Sequence, residues 1–304
     1  MRKFVVSDLH GDGIIYKSIM SYLDNIKKEE DIELYINGDL IDRGLDSASM
    51  LLDIKRRIEE GERITYLAGN HELMMYEVFE KRKKEMYVPT YNDWFLNGGL
   101  VTDDELAIRF AYDKNKILEV VDFISNLKIY HKFPETIDYK NIVLVHASCP
   151  IFVKDECDIR IKDNNPCMEY SLWARVNNPG YHFRCRIGHD SYMTIVGHTP
   201  NDSKYGVVYN IGEDYLNIDG GIANYVSGYF EEDHVPLVEV CDNYLKILTF
   251  NHNNEIIYGN YLAHAKLKPF SEDELEKSRR YLDKSYIPKK LIKLPDKTIV
   301  YEDY

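Results

Sequence analysis

Long hydrophobic runs are missing from this 304-residue chain. Nothing in it approaches the roughly 18 or more apolar residues that a membrane-spanning helix needs, so an integral membrane protein is not expected. The start, Met1-Arg2-Lys3-Phe4-Val5-Val6, runs straight into the first polar motif and leaves no room for a signal peptide. Cysteine is sparse and odd in number. Cys149, Cys157, Cys167, Cys185 and Cys241 contain no Cys-x-x-Cys pair, which argues against a disulfide framework and against a zinc knot. Reduced thiols in the cytoplasm are the expected setting, with the four cysteines between 149 and 185 as a candidate redox-sensitive patch. Positive charge is in deficit, with 38 Lys and Arg against 51 Asp and Glu and a net charge of -13, which opposes non-specific nucleic-acid binding. Gly-x-Ser-x-Gly and the phosphate-binding P-loop are absent. The run His71-Glu72-Leu73-Met74-Met75 lacks the second histidine of a zincin protease. Repeats and low-complexity segments are also missing. With 44% hydrophobic and 29% charged residues, the chain has an ordinary globular composition and enough apolar residues for a sizeable core.

What is present is a set of five polar motifs, each following a short apolar run. They are Asp8-Leu9-His10-Gly11, Gly38-Asp39-Leu40-Ile41-Asp42-Arg43-Gly44, Gly69-Asn70-His71-Glu72, Val145-His146-Ala147 and Gly197-His198-Thr199-Pro200. The runs before them, such as Phe4-Val5-Val6 and Leu34-Tyr35-Ile36, read as buried strands. His10 and Asp39 are 29 residues apart and Asp39 and Asn70 are 31, each about one strand-helix-strand unit. Right-handed crossovers put such loops on one edge of an open sheet, where ligands gather. Carboxylate and amide oxygens combined with imidazoles suit Mn²⁺, Fe or Zn²⁺ better than Ca²⁺. The motifs therefore point to a two-metal hydrolytic site.

In order and spacing these motifs resemble the phosphoprotein-phosphatase branch of the calcineurin-like metallophosphoesterases, over residues 4 to about 222. Ser7 stands where many members have glycine, a departure expected to touch no ligand. Asp93-Trp94-Phe95-Leu96-Asn97-Gly98-Gly99 and Trp173-Ala174-Arg175 are similar to segments of the bacteriophage lambda-type serine/threonine phosphatases and their bacterial relatives. The resemblance implies that Asp8 and His10 bind a first metal, that Asn70, His146 and His198 bind a second, and that Asp39 bridges them. It implies two divalent ions, Mn²⁺ first, with direct attack on a phosphomonoester by metal-bridging hydroxide. It makes His71 the proton donor to the leaving group and Asp42 its orienting carboxylate. Arg43, Asn70 and Arg175 would contact the substrate phosphate. A phosphorylated protein or a small phosphoester is the implied partner. Symmetrical diadenosine tetraphosphate hydrolysis is the neighbouring alternative, and a non-catalytic binding module on the same fold is a third. His131, His182, His189, His234, His252 and His264 are expected to be packing or surface residues.

The fold expected is α/β, with two mixed sheets packed as a sandwich and helices outside. Helices are expected over 12–28, 45–60, 71–86 and 114–127, with 75–127 a mostly helical insertion. After 129 the pattern becomes β-rich, including 142–146, 193–197, 205–210, 214–219, 235–240, 244–250 and 255–260, and these runs suit a second sheet. Residues 1–265 are read as the catalytic domain and 266–304 as an appended helix and strap, with Ser271 as its N-cap. The strap carries a basic island from Lys277 to Lys297, interleaved with apolar residues that need burial.

Overall fold

The computed structural model describes residues 1–149, 158–175, 192–201, 209–212, 214–226, 234–263, 266–285, 290–293 and 299–302. His182, His189, His264, Cys157, Cys185 and most of the run 205–210 lie outside the described residues.

Three βα units open the chain: β1 (Arg2–Val6), α1 (Gly13–Lys27), β2 (Ile32–Asn37), α2 (Ser47–Glu59), β3 (Ile64–Leu67) and α3 (Asn70–Lys83). β1, β2 and β3 pair in parallel, so the loops after each emerge on one edge. Asp12 caps α1, its Oδ1 accepting from the Ile14 and Ile15 amides at 3.1 and 3.0 Å. The insertion follows as a π-helical turn over Phe95–Gly99, then α4 (Leu100–Arg109) and α5 (Lys114–Ser125). α5 packs on α3, and α4 packs on α2.

β4 (Tyr130–Ile137), β5 (Lys140–Val145), β6 (Tyr192–Val196), β7 (Asn210–Ile211) and β8 (Tyr215–Asn217) form a second sheet in the order β4-β5-β6-β8-β7. The short helix α6 (Met168–Trp173) lies between β5 and β6 in sequence, and α7 (Ile222–Val226) follows β8. β5, β6 and β8 run parallel. The last strands depart from the expectation of a second sheet. β9 (Val235–Cys241), β10 (Tyr244–Phe250), β11 (Ile256–Ala263) and β12 (Lys266–Pro269) return to the first sheet, β9 pairing antiparallel with β1, in the order β12-β11-β10-β9-β1-β2-β3. The free edge of β1 explains this, because an unpaired strand edge in the middle of a sandwich would leave buried amides without partners. α8 (Glu272–Arg279) and an antiparallel hairpin of β13 (Lys290–Lys293) and β14 (Ile299–Glu302) complete the described chain.

Side-chain alternation divides the core. Val5, Tyr35 and Leu67 of the first sheet meet Leu144, Ile195 and Leu216 of the second, whereas their neighbours Phe4, Val6, Leu34 and Ile36 pack with the helices. Mixed α/β architecture with two packed mixed sheets is therefore observed as expected. Among the described residues, no helix is long and apolar enough to cross a membrane.

Candidate metal and phosphate site

All five predicted motifs converge at the carboxyl ends of parallel strands, with those of β1, β2 and β3 from one sheet facing those of β5 and β6 from the other. Local backbone is unusual there. Asp8, His10, Asp39, Asp42, Arg43 and His198 all have positive φ, between 43 and 75°. Left-handed backbone costs a non-glycine residue about 1–2 kcal/mol, and such strain concentrates where a side chain must be aimed. Gly38, at φ 79°, lets the loop after β2 touch the loop after β3: a Cβ there would fall 2.5 Å from Gly69 Cα.

The Asp39 carboxylate lies at the centre. Its Oδ1 accepts from the His71 amide at 3.1 Å. Its Oδ2 faces three imidazole nitrogens, His146 Nε2 at 3.4 Å, His10 Nε2 at 3.6 Å and His71 Nε2 at 3.9 Å. The His146 Nε2 also lies 3.1 Å from Asn70 Oδ1, and its Nδ1 is 2.8 Å from the Asn37 carbonyl. The donor atoms of Asp39, His146 and His198 fall within 4.8 Å of one another, and so do those of His10, Asp39 and His71. Glu72 braces the loops from behind. Its carboxylate accepts from the amides of Asp39, Leu40 and Gly69 at 2.8–3.0 Å and from the Tyr66 hydroxyl at 2.7 Å.

Asp8 is buried beside this group, its Oδ1 accepting from the His198 amide at 3.0 Å. The Ser7 hydroxyl donates to Asp8 Oδ2. The serine therefore does touch one of the expected ligands, contrary to the sequence expectation, because the buried side chain just after β1 is turned toward the next residue's carboxylate. The Asp42 and His71 side chains meet as expected, Asp42 Oδ2 lying 2.6 Å from Nδ1. A carboxylate partner on Nδ1 directs the other ring nitrogen, Nε2, toward Asp39. Arg43 lies with Nη1 2.7 Å from His10 Nε2, and Arg175 donates to the His198 carbonyl at 2.8 Å. Both arginines line a cavity of about 360 Å³ together with His10, Asp39, Asn70, His71 and His198.

The sequence profile described as "Calcineurin-like phosphoesterase" matches residues 1–238. The chain belongs to the calcineurin-like phosphoesterases. These are metal-dependent hydrolases of phosphoric esters. A serine/threonine-protein phosphatase 2 of Escherichia coli (strain K12) is 30% identical over 152 residues, covering 48% of this chain and 58% of that protein. The chain thus spans less than two thirds of that relative's length. Among solved structures, a protein serine/threonine phosphatase of Saccharomyces cerevisiae is similar at 14% identity and a TM-score of 0.49, over 80% of this chain and 73% of that one. A structure described as a putative diadenosine tetraphosphatase is similar at 14% identity and a TM-score of 0.44, over 82% and 93%.

The residues of this calcineurin-like phosphoesterase suit divalent cations. Among the described residues, His198 Nε2 is buried without a hydrogen-bond partner, although it lies beside other donor atoms. Buried polar atoms are normally satisfied, so an imidazole lone pair left over among carboxylates has the chemistry of a ligand. Electrostatics agree. Burial and then repulsion from Asp219 push the Asp8 carboxyl well up. Asp39 is held well below the usual carboxylate range despite its burial, because His146, His71 and His10 surround it. Burial opposes protonation of His146, but Asp39 and Asp8 outweigh it and raise that imidazole to about 10. The pocket thus concentrates negative potential and draws in positive charge.

Asp219 was not anticipated. It is buried, lines the cavity and is pushed up to about 6, by burial first and then by Asp39 against the favourable amide of Gly221. The available signal was positional: Asp219 ends the strand-like run 214–219 ahead of Gly220-Gly221, as the other site residues follow theirs. Asn97, Trp173 and Asn224 also line the cavity. His131 packs against Tyr35 and Phe133, and His252 pairs with Asp12, so these two histidines are structural, as expected.

Proposed function

We propose that this calcineurin-like phosphoesterase is a dinuclear metal-dependent phosphatase of phosphomonoesters, of the serine/threonine phosphatase-like type, acting in the cytoplasm. The observation that carries the proposal is the Asp39 carboxylate, whose Oδ2 faces both His10 and His146, at 3.6 and 3.4 Å, and which belongs to both groups of closely spaced donor atoms. A carboxylate so surrounded suits a bridging role. Asp8 and His10 would hold one ion, and Asn70, His146 and His198 the other, with Mn²⁺ the first choice. Bound there, two such ions supply an activated water and neutralise phosphate oxygens.

The chain's own residues do the rest. Arg43 and Arg175 offer planar guanidinium forks at the mouth of the cavity, suited to two oxygens of one phosphate. Asn70 adds an amide to the lining of the same cavity. His71 holds a proton at Nε2 for the departing oxygen, and Asp42 fixes the ring that carries it. Six ligand-type residues retained together with His71, Asp42 and both arginines favour an enzyme over a binding module. The name of the Escherichia coli relative supports a phosphoprotein substrate.

The test is kcat/KM with Mn²⁺ across phosphoserine, phosphothreonine and phosphotyrosine peptides, nucleotides and diadenosine tetraphosphate. The phosphoserine and phosphothreonine peptides are expected to lead. A preference for diadenosine tetraphosphate would replace the substrate assignment, and no metal-dependent hydrolysis of any of them would leave a binding module. Arg43→Ala and Arg175→Ala should each lower kcat/KM by about 10- to 100-fold with metal content unchanged.

A further inference from the structure

Three groups converge on the Asp42 carboxylate, and two of them come from the insertion. Trp94 Nε1 donates to Oδ2 at 2.8 Å, the same oxygen that His71 Nδ1 approaches at 2.6 Å. The Thr102 hydroxyl donates to Oδ1 at 2.6 Å and accepts from the Asp42 amide at 3.2 Å, closing a ring with one residue's backbone and side chain. Trp94, Thr102 and Asp42 are 1%, 0% and 0% exposed, so water cannot replace any of these bonds. The local fold looks shaped for the contact. The backbone kinks at Gly98, φ 98°, within the π-helical turn, and a Cβ on Gly99 would overlap the Trp94 indole. Gly98 also returns a carbonyl to the Arg43 amide at 3.3 Å, tying the turn to the loop beside Asp42.

We propose that Trp94 and Thr102 are positioning residues for the general acid, so that docking of the helical insertion completes the Asp42–His71 pair. The inference rests on the reading of His71 as the proton donor. Neutral donors suit the task. A buried carboxylate needs compensation for lost hydration, and an added cation would compete with His71 for it. An indole N–H and a hydroxyl stabilise the anion without a second charge, fix both oxygens, and leave a second lone pair on Oδ2 to hold the imidazole in one tautomer. Asp42 has positive φ, 75°, and the bond from its own amide to Thr102 helps hold that conformation.

The experiment compares Trp94→Phe, Thr102→Val and Thr102→Ser with His71→Asn, using an alkyl and a nitrophenyl phosphate, Mn²⁺-loaded enzyme, and metal content and thermal unfolding as controls. Trp94→Phe and Thr102→Val should each lower kcat for the alkyl ester by about 10- to 100-fold and much less for the nitrophenyl ester, whose leaving oxygen barely needs a proton. Thr102→Ser should restore the alkyl rate, and Thr102→Val should add no further selectivity in an Asp42→Asn background. Equal losses on both esters, or an unchanged alkyl rate, would overturn the inference while His71→Asn keeps its selectivity. If His71→Asn itself loses both esters equally, the underlying acid assignment fails instead. Should Trp94→Phe not fold, the Thr102 pair decides alone.

Discussion

The loops at the catalytic edge and the flank built from β9–β12 and α8 handle charge and backbone in opposite ways. At the edge, buried carboxylates crowd one another, and left-handed backbone falls on Asp8, His10, Asp39, Asp42, Arg43 and His198. Among the described residues of the flank, positive φ at non-glycine positions falls only at Asn243 and Asn254, a residue type that tolerates it. Charges there are matched. Glu239 accepts from Arg2 at 2.8 and 3.0 Å and from Lys246 at 3.2 Å, and is held below its ordinary pKa by Arg2 and Lys246 despite burial. Ser271 caps α8 with Glu274 in a reciprocal capping box. One region spends stability to aim groups at a ligand, and the other supplies it.

The sharpest way to test that contrast is at Asp39. Asp39→Asn removes the charge on which three imidazoles converge, so Mn²⁺ content should fall and hydrolysis drop by about 10³-fold or more, a larger loss than Asn70→Ala causes. Relief of repulsion on Asp8, Glu72 and Asp219 opposes the lost attraction to the three imidazoles, so the melting temperature should change little. Metal analysis, kinetics and thermal unfolding of the metal-free protein decide it; a large fall in stability would contradict the contrast. Next in size, His71→Asn should cost about 10²- to 10⁴-fold in kcat on an alkyl phosphate and less on a nitrophenyl phosphate.

On the flank the balance should reverse. Tyr281 is 7% exposed, stacks edge-on to Tyr22 at 5.7 Å and accepts from Asn25 through its carbonyl at 2.8 Å. Tyr281→Ala should therefore destabilise by about 2–4 kcal/mol. Its kcat/KM on small aryl phosphates at low temperature should stay within about twofold, since surface far from the site touches no reacting group. This is also the measurement that separates a structural strap in 266–304 from a docking arm for an acidic partner. A stable variant with weakened action on an acidic substrate would favour the arm.

Sequence made the catalytic edge far more legible than the flank. Short polar motifs after apolar runs carry their meaning locally, so Asp8, His10, Asp39, Asn70, His71, His146 and His198 could be placed together before any coordinates. Helices α1, α2, α3 and α5 were placed to within a few residues, α2 and α5 by apolar periodicity. Strand partners did not follow, because period-two alternation says which face is buried and not which sheet supplies the neighbour. Hence β9, β10 and β11 were read into the second sheet, and β12 was read as part of the strap. Asp219 escaped because a lone carboxylate before two glycines also fits a turn. Trp94 and Thr102 escaped because their hydrogen bonds to Asp42 span 52 and 60 residues of sequence.

Glu105 provides the smallest test, at the seam where the insertion meets the catalytic edge. Its Oε2 accepts from the Ala48 amide near the start of α2 at 2.6 Å, while Oε1 is buried without a partner among the described residues. Burial first, then Asp46 and Asp42, push its carboxyl up to about 7, against the Ala48 amide and Arg109, which favour the anion. A carboxyl raised in the folded state binds more protons there than in the unfolded chain, so its contribution to stability falls as pH rises from the ordinary glutamate value toward 7. Glutamine keeps the acceptor for Ala48 and removes the titration. Glu105→Gln should therefore stabilise the protein by about 1 kcal/mol at pH 8, after allowance for partial exposure, and by almost nothing at pH 5. Denaturant unfolding at the two pH values checks it. A gain of the same size at both would assign the effect to packing, and a loss at pH 8 would show that the seam needs the negative charge.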